Sequence, residues 1–189
     1  MLSKISDFEI EKLSLSKTKD ATYLQADKQP FELQTDWLTL GKFPLPSKKF
    51  IENDTTWINI TVPIQKNDDN YLFFSAIDSN LSKFKILSDN KRYHPLVFQK
   101  EKDFFLKFKL YPNTALFDRE KNRISITSLT DFHRYLGEGK SIKIVFGFSK
   151  LWTMCEQYGF SLSVKRILLK DAVNEIPEET RNAFLSDDD

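Results

Sequence analysis

Glycine is scarce in this 189-residue chain, with five copies, and cysteine occurs once. Five scattered glycines form neither a GxGxxG turn nor a Walker loop, so no fold that grips a nucleotide through glycine-rich backbone is expected. The single thiol, Cys155, cannot close an internal disulfide, in keeping with a reducing interior. No nucleophile motif flanks it, and it reads as a buried or incidental side chain. The two histidines, His94 and His133, stand apart with no cysteine or carboxylate at ligand spacing, so they read as surface or packing residues and no metal is expected. Ser149 and Ser161 lie near glycines but outside GxSxG. Asp68 and Asp69 fall in an Asn/Asp-rich run whose turn chemistry accounts for them. Without a catalytic constellation or a cofactor motif, neither an enzyme nor a cofactor is expected. Also missing is any apolar run near the ~20 residues of a membrane-spanning helix. The N-terminus lacks an apolar stretch followed by a small-residue cleavage site, so no membrane association and an intracellular location are expected.

What the chain has in quantity is phenylalanine, 17 copies, a residue that suits the pleated surface of strands. With 40% hydrophobic and 29% charged residues it has the material for one well-filled core. The formal net charge of +1 hides an asymmetry. Residues 1–170 carry 27 Lys or Arg against 20 Asp or Glu, whereas residues 171–189 carry 1 against 7. A basic body with an acidic tail suits a polyanion-binding surface that the tail can guard, or a tail that recruits basic partners; the bland alternative is a solubilising tail.

Along the chain, residues 1–28 read as a short strand and a loop, and residues 29–46 as an aromatic strand entering a Gly/Pro turn. Residues 57–62 alternate cleanly, with Ile58, Ile60 and Val62 on one face and Trp57, Asn59 and Thr61 on the other, predicting a half-buried strand. The run 65–70 reads as a hairpin connection and 71–77 as a central strand. Residues 103–110 predict a strand with Phe104, Leu106 and Phe108 on one face and Phe105, Lys107 and Lys109 on the other. Ser128 as N-cap, Asp131 three positions on, apolar Leu129, Phe132 and Leu136, and Gly137 as a stop predict a helix. Strands over 142–148 and 160–169 flank a loop over 151–159, and 177–185 form a short helix. Five to eight strands with a helix before the penultimate one fit an oligonucleotide-binding (OB) antiparallel barrel followed by an acidic tail, with a β-sandwich as the alternative. The expected division is an N-terminal strand and loop (1–28), a β-rich domain (29–170) and the acidic tail (171–189).

Residues 81–110 are the most basic stretch, with eight Lys or Arg against three Asp or Glu. Single strands of nucleic acid are held by cations along the phosphates and by rings on which bases stack. By strand parity and position the candidates are Trp57, Lys83, Lys85, Arg92, Tyr93, Phe105, Lys107 and Lys109. Each also has a plain structural alternative, such as a second core layer for Trp57 or a solvated surface charge for any one lysine. Trp37 and Trp152 read as core or interface residues.

The phrase QPFELQTDWLTLG (29–41), the stretch RYHPLVFQKEKDFFLKFKL (92–110) and the closing unit IKIVFGFSKLWTMCEQYGFSLSVKRILL (142–169) together resemble the single-stranded DNA-binding proteins of the nucleocytoplasmic large DNA viruses. The resemblance is one of pattern and order. It implies an OB barrel that coats and protects exposed DNA during replication, recombination or repair, in the host cytoplasm or nucleus. The acidic end, Asp187, Asp188 and Asp189, is similar to the tails of replication single-strand binders, which contact replication proteins and compete with DNA for the basic groove. Such tails commonly end on an aromatic residue, whereas Phe184 here lies upstream of the acids. A virion or assembly β-protein and an RNA or transcription accessory factor are the alternatives, and self-association is left open.

Overall fold

In the computed structural model residues 2–52, 54–84 and 91–171 are described. The chain begins with β1 (Leu2–Lys4) and, after two 3-10 turns, the hairpin of β2 (Leu13–Lys17) and β3 (Thr22–Ala26). A hairpin replaces the expected loop because Leu13, Leu24 and Ala26 bury one of its faces. Its turn is closed by Thr18, whose hydroxyl accepts the Ala21 N–H at 3.1 Å. Next come β4 (Glu32–Gln34) and β5 (Leu38–Thr39), two halves of one strand that both pair with β12 and are parted by a bend at Thr35. The buried Thr35 hydroxyl fixes the bend by accepting the Ile144 N–H at 3.0 Å. In β6 (Ile58–Ile64) burial alternates as the sequence pattern predicts, with Ile58, Ile60, Val62 and Ile64 in the core.

The next element overturns the sequence reading. Residues 71–77 are not a central strand but part of α1 (Asp69–Leu81). Asp68, read as turn material, is the N-cap: its carboxylate accepts the Tyr71 N–H at 2.6 Å and the Gln65 N–H at 2.9 Å. Phe73, Phe74, Ile77 and Leu81 are buried, and their spacing is that of one helical face. The same aromatic run read with period two is continuous and resembles a buried strand, which is why pattern alone misassigned it. Replacing Asp68 by alanine should lower stability by about 1 kcal/mol, read as a fall in thermal midpoint. An unchanged midpoint would show that the cap contributes nothing.

The chain continues through β7 (Arg92–Tyr93), β8 (Val97–Lys100), β9 (Asp103–Leu110), β10 (Ala115–Phe117) and β11 (Arg123–Ile124). The helix expected over 128–137 forms as a 3-10 turn leading into the single turn α2 (Phe132–Tyr135). Its capping box is present: the Asp131 carboxylate accepts the Thr127 and Ser128 N–H groups, each at 2.8 Å. The backbone donors at Thr127 and Ser128 hold that carboxyl below its ordinary range. The left-handed glycine that follows is Gly139 (φ 77°) rather than Gly137. The last strands are β12 (Ser141–Phe148), β13 (Trp152–Met154), β14 (Gln157–Gly159) and β15 (Leu162–Leu169). Residues 151–159 therefore contain a hairpin where a loop was expected, turned at Cys155 with φ 50° and with its thiol exposed. The helix expected over 177–185 lies outside the described residues, as does the acidic tail beyond Asp171.

Five of these segments close a barrel. β5 pairs antiparallel with β12, β12 antiparallel with β15, β15 parallel with β9, and β9 antiparallel with β6 from Ile58↔Leu110 to Ile64↔Phe104. The ring is completed where the Thr61 N–H of β6 donates to the Pro44 carbonyl just beyond β5, at 2.8 Å. The spatial order is first, second, third, fifth, fourth and back to first, a partly open five-stranded barrel of the OB kind rather than a sandwich. Its pairing is mixed rather than wholly antiparallel, with short parallel contacts of β15 to β9 and β10. The fully buried rings of Phe74, Phe108 and Phe146 meet inside it at 5.4–6.2 Å between centroids, so α1 plugs the barrel.

Candidate nucleic-acid interface

The strand alternation that fills the barrel also decides what β6 and β9 show on the outside. Facing away from the core are Asn59, Thr61 and Pro63 on β6 and, in register beside them, Lys109, Lys107 and Phe105 on β9. The β8–β9 hairpin adds a third row. Its two-residue turn places Glu101 at φ 57° and pairs Phe98 with Phe105 across the strands. Those two rings stack with centroids 5.5 Å apart and planes 23° off parallel.

Cations sit directly on these rings. The Lys107 ammonium lies 4.4 Å from the centroid of Phe98, and the Lys109 ammonium 4.2 Å from that of Trp57. Burial beside Trp57 pulls the Lys109 ammonium down from the ordinary lysine value. A phosphate at that position would oppose the shift by favouring the charged form. Trp57 is 39% exposed at the mouth of a depression of about 320 Å³ that also takes in His94, Phe98, Lys107 and Trp152. Residues 40–57, between β5 and β6, wall the other side. There Phe43, 89% exposed at φ 52°, and Phe50, with the Lys49 ammonium 5.0 Å from its ring, border a wider hollow shared with Asn59, Thr61 and Lys107.

Two structural devices hold the far wall. Trp152 lies across the β13–β14 hairpin over Gly159, where an added Cβ would meet its ring at 3.0 Å and the His94 carbonyl at 3.1 Å. A side chain here would push that ring and carbonyl back by a few tenths of an ångström. Asp78 of α1 clasps the segment that leads into β8: its carboxylate accepts the Tyr93 hydroxyl at 2.8 Å and the Leu96 and Val97 N–H groups at 2.8 and 3.0 Å. Burial pushes that carboxyl up while the three donors oppose the shift, and burial beside Asp78 pushes the Tyr93 phenol up as well.

Four sequence candidates, Trp57, Phe105, Lys107 and Lys109, thus share one face. Arg92 is exposed on β7, which pairs with β14, and Lys83 is exposed in the turn after α1; neither lines the depressions on that face. Tyr93 is half-buried, bonded to Asp78 and packed on Tyr158 at 5.7 Å, so its ring is a strut rather than an open platform. Lys85, Phe184, Asp187, Asp188 and Asp189 lie outside the described residues. The sequence reading missed Phe98, because the strand Val97–Lys100 is too short for its alternation to stand out. It reads Trp37 as a core or interface residue; at 40% exposed that residue is not core. Among the described residues no three His, Cys, Asp or Glu side chains are grouped to hold a metal, and no helix is long and apolar enough to cross a membrane.

Neither a protein-family model nor a curated protein matches the sequence. Solved structures do match. The chain is similar to the single-stranded DNA-binding protein from bacteriophage Enc34, with a TM-score of 0.51 and 10% identity over 92% of this chain and 99% of that one. A C-terminal truncation of the Enc34 protein aligns with a TM-score of 0.51 and 10% identity over 87% and 98%. The single-stranded DNA-binding protein gp2.5 encoded by bacteriophage T7 aligns with a TM-score of 0.47 and 11% identity over 78% and 96%. At this identity the Enc34 alignments show a shared fold, and they extend along nearly the whole of that protein.

Proposed function

We propose that the chain binds and protects single-stranded DNA, without strong sequence preference, along the outer face of β6 and β9. One observation carries this reading. OB barrels bind oligonucleotides on the face of their second and third strands and on the loops after the first and fourth. In this chain those parts are β6, β9, residues 40–57 and the β13–β14 hairpin, and there Trp57, Phe98, Phe105 and Trp152 gather with Lys107 and Lys109. Outward-facing rings can take the flat face of any base once the ammonium groups over them move to phosphate, and ammonium groups bind phosphate regardless of sequence. The shared fold of the Enc34 single-stranded DNA-binding protein supports the same ligand. The resemblance to binders of the nucleocytoplasmic large DNA viruses supports a role in viral replication, recombination or repair. In this reading residues 29–170 form the binding unit, residues 1–28 precede it, and the acidic residues 171–189 regulate it or contact replication proteins.

The test is fluorescence anisotropy of the full-length chain titrated against a labelled single-stranded oligomer and its duplex at two salt concentrations. Binding should favour the single strand, because duplex bases are already stacked on one another. It should weaken about tenfold or more between about 50 and 200 mM salt as phosphate contacts are screened. Equal affinity for the duplex, or indifference to salt, would contradict the reading.

A further inference from the structure

Beyond the β6–β9 face stands a tryptophan that the barrel core does not use. Trp37 precedes β5, and the ammonium groups of Lys143 and Lys170 lie 4.9 and 5.8 Å from its ring centroid. Neither lysine is ion-paired to a described residue. A large ring left 40% exposed between two cations that pair with no described acid contributes little to the core and is open to a polyanion that carries bases.

We propose that a bound single strand continues past Phe105, across the end of the barrel, to a second stacking platform at Trp37, where Lys143 and Lys170 hold its phosphates. This rests on the binding reading above and extends it. A groove of about 710 Å³ joins the two places, lined by Trp37, Gly41, Lys42, Thr61, Pro63 and Phe105. Thr61 and Phe105 belong to the main face, so the path is continuous. The groove also meets Asp68 and Asp103, so the phosphates of a bound strand must keep to its Lys42 side. A strand following β6 from Trp57 travels roughly 13 Å to Thr61, where this groove begins, and must then cross the groove to reach Trp37. The platform at Trp37 therefore serves long ligands and is out of reach of short ones centred on Trp57.

The experiment compares the full-length chain with its Trp37→Ala and Lys143→Ala/Lys170→Ala variants on oligo-dT of about 6 and about 16 nucleotides, lengths toward the two ends of the range of OB site sizes. Each variant should lose about fivefold or more in affinity for the long oligomer, the smallest loss expected for one stacked base, and stay within twofold of the parent on the short one. An equal loss on both lengths, or none on the long one, overturns the second platform. The paired-lysine variant keeps the test decisive should Trp37→Ala disturb folding. If the unaltered chain binds neither oligomer, the binding reading itself falls and the extension with it.

Discussion

Replacing Trp57 and Phe98 together by alanine is expected to weaken single-stranded DNA binding about a hundredfold at constant salt. Each ring lies on the outer face under a lysine ammonium, which a base must displace to stack there; loss of a base–ring stack costs about 1 to 3 kcal/mol, so two lost stacks multiply to that order. Neither ring belongs to the fully buried set that fills the barrel: Trp57 is 39% exposed and Phe98 half-buried on the outer face. The variant should therefore unfold near the parent temperature. Its dependence of affinity on salt should also be nearly that of the parent, because Lys107 and Lys109 remain. The converse variant, Lys107→Ala/Lys109→Ala, should flatten that dependence by about one to two contacts. Undiminished affinity in the ring variant would place the stacking surface elsewhere.

Removing residues 172–189 is expected to tighten binding about tenfold at low salt, with the gain fading as salt rises. The deleted segment carries six acids and one base, while residues 1–171 carry 27 Lys or Arg against 21 Asp or Glu. A polyanionic segment tethered to a basic body competes with DNA through the same long-range field, and salt screens both within about 10 Å at 0.1 M. Cutting after Asp171 spares its 3.0 Å ion pair with Lys140. Unchanged affinity at low salt would assign the tail a task other than guarding the groove.

How far the sequence revealed this arrangement follows from the physics of each segment. Period-two alternation over 57–62 and 103–110 was readable because each strand has one wet and one dry face. That same alternation places Phe105, Lys107 and Lys109 together. It failed at 71–77, where apolar residues crowd so densely that helix and strand patterns coincide, and only the N-cap geometry at Asp68 separates them. Charge patterning marked 81–110 as basic but could not distribute those charges. Pairing with β14 sets Arg92 beside the β13–β14 hairpin but outside the depressions, and the clasp at Asp78 ties up the Tyr93 hydroxyl; such contacts join residues far apart in the chain. Trp37 was obscure for a related reason, since its exposure depends on where Lys143 and Lys170 arrive from the other end of the sequence.

The most direct test is ultraviolet cross-linking of the full-length chain to a single-stranded oligomer, with the modified peptides mapped by mass spectrometry. Adducts should fall on Trp57, Phe98, Phe105 and Trp152, in the peptides from β6, β8, β9 and the β13–β14 hairpin. Adducts confined instead to the β2–β3 hairpin or to β10 and β11, with that face unmodified, would contradict binding across β6 and β9.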